Sequence, residues 1–403
     1  MNEIVLINVS GGDCPGLAAA LTGVLAEYEV PILDIGQASI HSELSLGVLV
    51  QIPAATESAA VLKDMLFKGN EMGVKVAFTP ISDERYDQWV RGQGKARHIV
   101  TLLARQLHSA HLAAVTRVVA EHGLNIDKIT RLSGRLPLDK NRDDAGPACV
   151  EFSVRGEVER ADLQTDFVPL AHDLGIDIAV QRDDVFRRNR RLVAFDMDST
   201  LIEVEVIDEL AKAAGVGERV AEITERAMRG ELDFTASFRE RLALLEGLDE
   251  SVLSRIAEEL PITEGAEKLI SNLRELGYKT AILSGGFNYF GRYLQRRLGI
   301  DHVHANELEI VEGKVTGRVT GQVVDGARKA QLLEQIAQQE GIRLEQTIAV
   351  GDGANDLPML GKAGLGIAFR AKPLVRDSAD HALSTLGLDG ILYLIGFRER
   401  ETV

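Results

Sequence analysis

Cysteine is almost absent: Cys14 and Cys149 are the only two in 403 residues, too few for a disulfide framework and in keeping with a reducing compartment. Long apolar runs are missing as well. No stretch approaches the roughly 18 residues needed to cross a bilayer, and the opening MNEIVLINVSGGD lacks the basic-then-apolar order of a leader, so a cytoplasmic location without membrane contact is expected. Positive charge is in deficit, with 45 Lys and Arg against 61 Asp and Glu for a net charge of -16. That balance argues against nucleic acid or an anionic membrane as a partner, and an anionic substrate would need locally placed cations. No GxxxxGK[ST] sequence occurs, which removes the P-loop from consideration.

What is present is an ordinary globular composition, 45% hydrophobic and 26% charged, at a length that suits two or three domains. The chain is organised around RLVAFDMDSTLIEVE, from Arg191 to Glu205. Leu192, Val193, Ala194 and Phe195 read as a strand buried on both faces that delivers Asp196 and Asp198 at its C-terminal end. Carboxylates buried there would neutralise unless a cation compensates them, so the pair suggests a cation site. Ser199 and Thr200 follow as hydroxyl donors suited to a phosphate or a helix cap.

The first half reads as strand 4–9, helix 15–28, strands 32–41 and 44–53, helix 56–72 and strand 74–79. The order then recurs. A shift of 94 positions aligns LTGVLAEYEVPILDI, from Leu21, with VTRVVAEHGLNIDKI, from Val115, which predicts two small βαββαβ units. They differ at the first strand-to-helix turn: GGDCPG (Gly11 to Gly16) in the first, RQLHSA (Arg105 to Ala110) in the second. GGDCPG suits either a capped turn, with Asp13 as the N-cap, or a helix N-terminus that binds a carboxylate. His108 and His111, three apart with no Cys or carboxylate partner in view, are expected to be ordinary histidines rather than metal ligands. LDKNRDDAG, from Leu138 to Gly146, reads as a loop, and QRDDVFRRNR over 181–190 as too charged to belong to either neighbouring core.

The repeat resembles a tandem of ACT domains, expected at 1–85 and 95–182, small regulatory modules that bind amino acids at paired interfaces. The resemblance implies an effector site including Asp13 and Gly16, with an amino acid such as L-serine as effector, and a homodimer.

After the central strand, apolar residues recur at helical spacing through about 203–260, as in Ile207, Leu210, Ala211 and Ala214, which reads as a helical cap. Strand and helix then alternate: helix 263–276, strand 279–283, helix 288–298, a hairpin over 303–320 turning at Glu312-Gly313, helix 326–340, strand 347–350 and helix 355–362. This pattern predicts an α/β, doubly wound parallel sheet over 190–403, with ligands beyond the C-terminal strand ends. Chemistry lies at each of those ends: Asp196 and Asp198, then Ser284-Gly285-Gly286, then GDGAND with Asp352 and Asp356. Lys329 adds a cation near a helix start, where it opposes the dipole and asks for a reason. Taken singly, Ser-Gly-Gly is usually a turn and Lys329 a solvated side chain. DMDSTLIEVEVI is no EF-hand loop, since Leu201 and Ile207 fill its sixth and twelfth positions.

In this order, DMDST, SGG, Lys329 and GDGAND resemble the four motifs of the haloacid dehalogenase superfamily, and the cap sequences EVEVIDELA and MRGELDFTASFRERLALL resemble its phosphoserine phosphatase branch. The resemblance implies Asp196 as nucleophile and Asp198 as general acid and base. It implies Mg2+ held by Asp196, Asp198 and Asp352 with Asp356 in support. O-phospho-L-serine would be held by Glu205, Met228, Phe234, Arg241, Ser284, Gly285, Lys329 and Asn355. Two alternatives stay open: another small phosphoester as substrate, or an amino-acid sensor with a silent second half.

Overall fold

The computed structural model describes residues 2–135 and 146–402, so the polar run from Leu138 falls outside the described residues except for Gly146. The chain divides into two compact units between Lys95 and Ala96.

In the first unit, a four-stranded antiparallel sheet runs in the order Ile32–Ile40, Glu43–Ile52, Glu3–Gly12, Lys75–Ile81. Side chains alternate across a strand, so one sheet face collects Val5, Ile7 and Val9 with Leu44, Leu46, Val48 and Val50. That face packs on Leu17, Leu21, Val61 and Met65 of the helices Leu17–Glu27 and Ser58–Glu71. The N-cap of the first helix is Gly16 at φ 87, a left-handed position that favours glycine, and not Asp13. Asp13 instead accepts a hydrogen bond from Ser39 Oγ at 3.2 Å. A helix absent from the expected elements, Asp83–Gly92, follows, with Ser82 Oγ accepting from Arg85 N.

The second unit opens with the repeat of this module. Its sheet runs Asn125–Arg131, Ala148–Arg155, Arg97–Ala104, Asp177–Arg182, with helices Ser109–Glu121 and Arg160–Leu174. Here Arg97–Ala104 is buried on both faces. Val100 and Leu102 face the helices, while Leu103, with Cys149 and Ala179, joins the apolar cluster of the C-terminal domain behind it. The charged stretch expected outside both cores is drawn into this seam: Arg187 and Arg190 are 2% and 7% exposed. Arg187 reaches Glu151 and Arg190 the carbonyl of Glu345. Long aliphatic stems allow such burial once the guanidinium finds an acceptor. Asp177, also buried, accepts from Ser384 N, Thr385 N and Thr385 Oγ1 at 2.9, 2.8 and 2.6 Å. Burial raises its pKa, against the lowering effect of those three donors.

The C-terminal domain is built on a seven-stranded sheet centred on Leu192–Phe195, which pairs in parallel with Lys279–Phe287 on one side and Thr347–Gly351 on the other. Beyond these lie His302–Val311 and the antiparallel Lys314–Thr320 on one flank, and Leu365–Phe369 and His381–Leu383 on the other. Those last two strands were not legible in the sequence pattern. Between the first two sheet strands in the chain come the cap helices Val206–Ala213, Gly217–Met228, Phe234–Ala243 and Ser251–Glu259. Two linkers join cap to core, and they pair: Glu203 N donates to Pro261 O at 3.0 Å and Thr263 N to Leu201 O at 3.0 Å.

Candidate active site

All three carboxylate-bearing or glycine-bearing strand ends meet at the C-terminal edge of the sheet, as strand order in a doubly wound fold requires. Asp196 and Asp198 are buried there, the former fixed by Met197 N at 2.7 Å and the latter by Val206 N at 2.9 Å, the first residue of the cap. Lys329 is completely buried, with Nζ 2.8 Å from Asp196 Oδ2 and 2.7 Å from Asp356 Oδ1. This double pairing is the reason for a cation in a first helical turn. Burial alone would lower its pKa, and the two carboxylates more than reverse that.

One lysine cannot neutralise the whole set. Burial, then the charge of Asp356, pushes Asp196 well above the usual carboxylate range; burial, Glu205 and Asp196 do the same to Asp198. Asp352 is pushed up to about 7 by burial and by Asp356. Single oxygens of Asp196, Asp352 and Asp356 lie within 4.8 Å of one another. An all-oxygen, acidic, under-compensated cluster of this size fits a hard divalent cation, which would reverse the direction of those shifts.

Ser284 and its glycines lie in the extended end of Lys279–Phe287, not in a turn, and the pairing register with the next strand shifts between Leu283 and Phe287. The shift frees this segment from the ladder. Ser284 Oγ accepts from Gly286 N at 2.9 Å, and a methyl group at Gly286 would stand 2.5 Å from Asp198, so only glycine fits beside that carboxylate.

Above the sheet edge lies a cavity of about 780 Å³ lined by Asp196, Asp198, Gly285, Asp352 and Asn355 from the core and by Glu205, Phe234, Ser237 and Arg241 from the cap side. Ser284, Lys329 and Asp356 stand fully buried behind this lining. Glu205 accepts from Ser199 Oγ at 2.9 Å, and Arg241 donates from Nε to Ser237 O at 3.4 Å. Burial lowers the pKa of Arg241, while Glu205 and Asp208 raise it. Phe234 stacks on Phe238 with ring centroids 6.3 Å apart and reaches Gly285, where a methyl group would lie 2.9 Å from its ring. Met228 ends a cap helix, and its side chain lies outside the described residues. Asp13 and Gly16 belong to the first unit.

Some participants carry no clear local signal. Thr200 Oγ1 donates to Asp352 at 2.9 Å, orienting a carboxylate far along the chain. Asn306, 2% exposed, donates to Gly285 O at 2.7 Å and accepts from Val324 N at 2.8 Å, bracing the glycine segment. Lys372, Leu374 and Val375 complete the cavity from the start of the short helix Pro373–Ser378, beyond Leu365–Phe369. Thr200 directly follows DMDS, which is its one local signal; nothing in sequence separates Asn306 from any other polar residue.

Residues 190–364 match the haloacid dehalogenase-like hydrolase family, and 3–79 and 96–181 each match an ACT domain family. The chain is 42% identical to a phosphoserine phosphatase of Streptomyces coelicolor over 398 residues, covering 98% of this chain and 93% of the relative. It is 42% identical to phosphoserine phosphatase SerB2 of Mycobacterium tuberculosis over 400 residues, covering 98% and 94%. Among solved structures, a probable phosphoserine phosphatase from Vibrio cholerae is similar at TM-score 0.58 and 36% identity, covering 75% of this chain and 87% of that one.

Proposed function

The chain belongs to the haloacid dehalogenase-like phosphoserine phosphatases that carry two ACT domains, and from that premise we propose that it hydrolyses O-phospho-L-serine to L-serine and phosphate, the last step of serine biosynthesis. The observation that carries the reading is one cavity with two kinds of charge: a lysine-backed nest of carboxylates in its floor, and Arg241 with Glu205 on its cap side. A phosphate fits the first once a cation is bound, and an α-carboxylate with an α-ammonium fits the second.

In this reading Asp196 attacks phosphorus and becomes an aspartyl-phosphate as the seryl oxygen leaves. Asp198 enters the step protonated and gives that proton to the seryl oxygen. It then takes a proton from the water that attacks the phospho-aspartate, releasing phosphate and restoring Asp196. Asp196, Asp352, the Asp198 carbonyl and, in support, Asp356 would hold Mg2+, which when bound neutralises phosphoryl charge. Lys329, Ser284 Oγ and Gly285 N–H serve the phosphoryl oxygens, and Asn355 the substrate beside them. Met228 and Phe234 exclude water. Residues 1–85 and 95–182 are taken as ACT domains and 190–403 as the catalytic domain. Effector binding is assigned to Asp13 and Gly16 with L-serine as ligand, in a cytoplasmic homodimer.

Phosphate release from O-phospho-L-serine in Mg2+, with phosphothreonine and a sugar phosphate alongside, tests the assignment in the wild type and in Asp196→Asn. Preference for phosphoserine and a loss of about a thousandfold or more in the variant are expected. Turnover of the sugar phosphate alone would overturn the roles of Glu205 and Arg241.

A further inference from the structure

The second module lacks the glycine turn of the first, and the residue that stands in place of Gly11, 94 positions on, is Arg105. Its side chain crosses to the catalytic domain. Arg105 Nη1 and Nη2 donate to the two oxygens of Glu264, each at 2.7 Å, and Nε donates to Thr385 O at 2.6 Å. Glu264 is no ordinary surface acid, because it directly follows Pro261, Ile262 and Thr263, the cap linker that pairs with Leu201, Ile202 and Glu203. A second arginine closes the arrangement. Arg370 donates from Nη2 to Glu264 and places Nη1 3.9 Å from Glu203 on the other linker. It does so from a left-handed backbone, φ 43, that a non-glycine residue adopts only when its surroundings hold it there. Two residues further on, Lys372 enters the lining of the catalytic cavity.

We propose that Arg105 is a positioning residue: with Glu264 and Arg370 it forms a clasp across both cap linkers, so that the second module sets how readily the cap opens over the substrate. The proposal rests on the phosphoserine reading of the cavity for its substrate. Hinge positions govern such motions because the whole displacement is absorbed in a few residues. Arg105 and Glu264 are 55% and 44% exposed, so their pair contributes little to global stability, and its effect is local to the linkers.

The test uses the full chain as wild type, Arg105→Ala, Arg105→Lys, Arg370→Ala and the double alanine variant. Measured for each are kcat and KM with phosphoserine, thermal unfolding, and hydrogen exchange at the amides of Glu203 and Thr263. Arg105→Ala is expected to raise KM about three- to tenfold with kcat within about twofold, and to speed exchange at both amides. Arg105→Lys, which keeps charge but not the fork, should recover part of this. The double variant should be no worse than the stronger single, as for residues acting through one partner. Unchanged KM and exchange with a lower melting temperature would make Arg105 a docking pin and overturn the proposal, as would additive effects in the double variant. If the wild type fails to hydrolyse phosphoserine, the substrate reading falls by itself. The exchange rates, and KM for p-nitrophenyl phosphate, then still decide for or against the clasp.

Discussion

In the first module the strand Glu3–Gly12 buries its residues largely in alternation, whereas its counterpart Arg97–Ala104 buries nearly all of them. Both pack one face on two helices. The other face of the second sheet lies against the catalytic domain, so Leu103 and Cys149 share a cluster with Val193 and Ile348. The turns diverge in parallel: Gly11 and Gly16 carry positive φ in the first, while Arg105 commits the second to Glu264. The two copies thus differ at one turn, glycines in the first and an arginine bonded to Glu264 in the second. The pair shows that a shared fold leaves function to a handful of side chains.

The harshest way to break this contrast is truncation. A chain begun at Ala96 should fold and keep phosphatase activity. One begun at Arg191 exposes the apolar seam and should unfold at least about 10 °C lower or precipitate, as read by thermal unfolding. Equal stability of the two would dissolve the distinction.

A finer break targets Asp177, which stands opposite Leu103 where the first module has Val76 opposite Val9. Asp177→Ala removes the buried acceptor of Ser384 N, Thr385 N and Thr385 Oγ1 and should cost about 2 kcal/mol in denaturant unfolding. Because the folded pKa of Asp177 is raised, the folded chain holds its proton more tightly than the unfolded chain. Its contribution is therefore fullest below about pH 4 and falls as pH rises through the folded value. Asp177→Asn should remove that part of the pH dependence; identical pH profiles would show that Asp177 does not titrate in the seam.

The smallest expected effect falls on the first module. Asp13→Ala should leave kcat and KM unchanged and weaken inhibition by L-serine, measured as the concentration that halves the rate. Unaltered inhibition would move the effector site away from the GGDCPG turn.

Much of this architecture is legible in linear order, because helix and strand periods and the succession of DMDST, SGG, Lys329 and GDGAND are local properties. The run HIVTLLA also carried a signal, since an antiparallel strand with almost no polar alternation implies a second covered face. What sequence could not supply was partnership. Arg187 and Arg190 look solvated until Glu151 and the Glu345 carbonyl meet them, and Asn306 acquires meaning only beside Gly285. The short strand His381–Leu383 has too few residues to show any period.

That short strand has a further consequence for how the protein is made. It forms one edge of the seven-stranded sheet, and edges with free backbone groups invite pairing between molecules. Here His381 lies between two carbonyls, with its ring nitrogens 3.3 Å from Gly366 O and 3.1 Å from Val180 O of the second module. Synthesis runs from the N-terminus, so the strand Asp177–Arg182 leaves the ribosome well before the edge it will meet. The strand of the second module that stands against this edge is therefore already synthesised when the last strand of the sheet emerges.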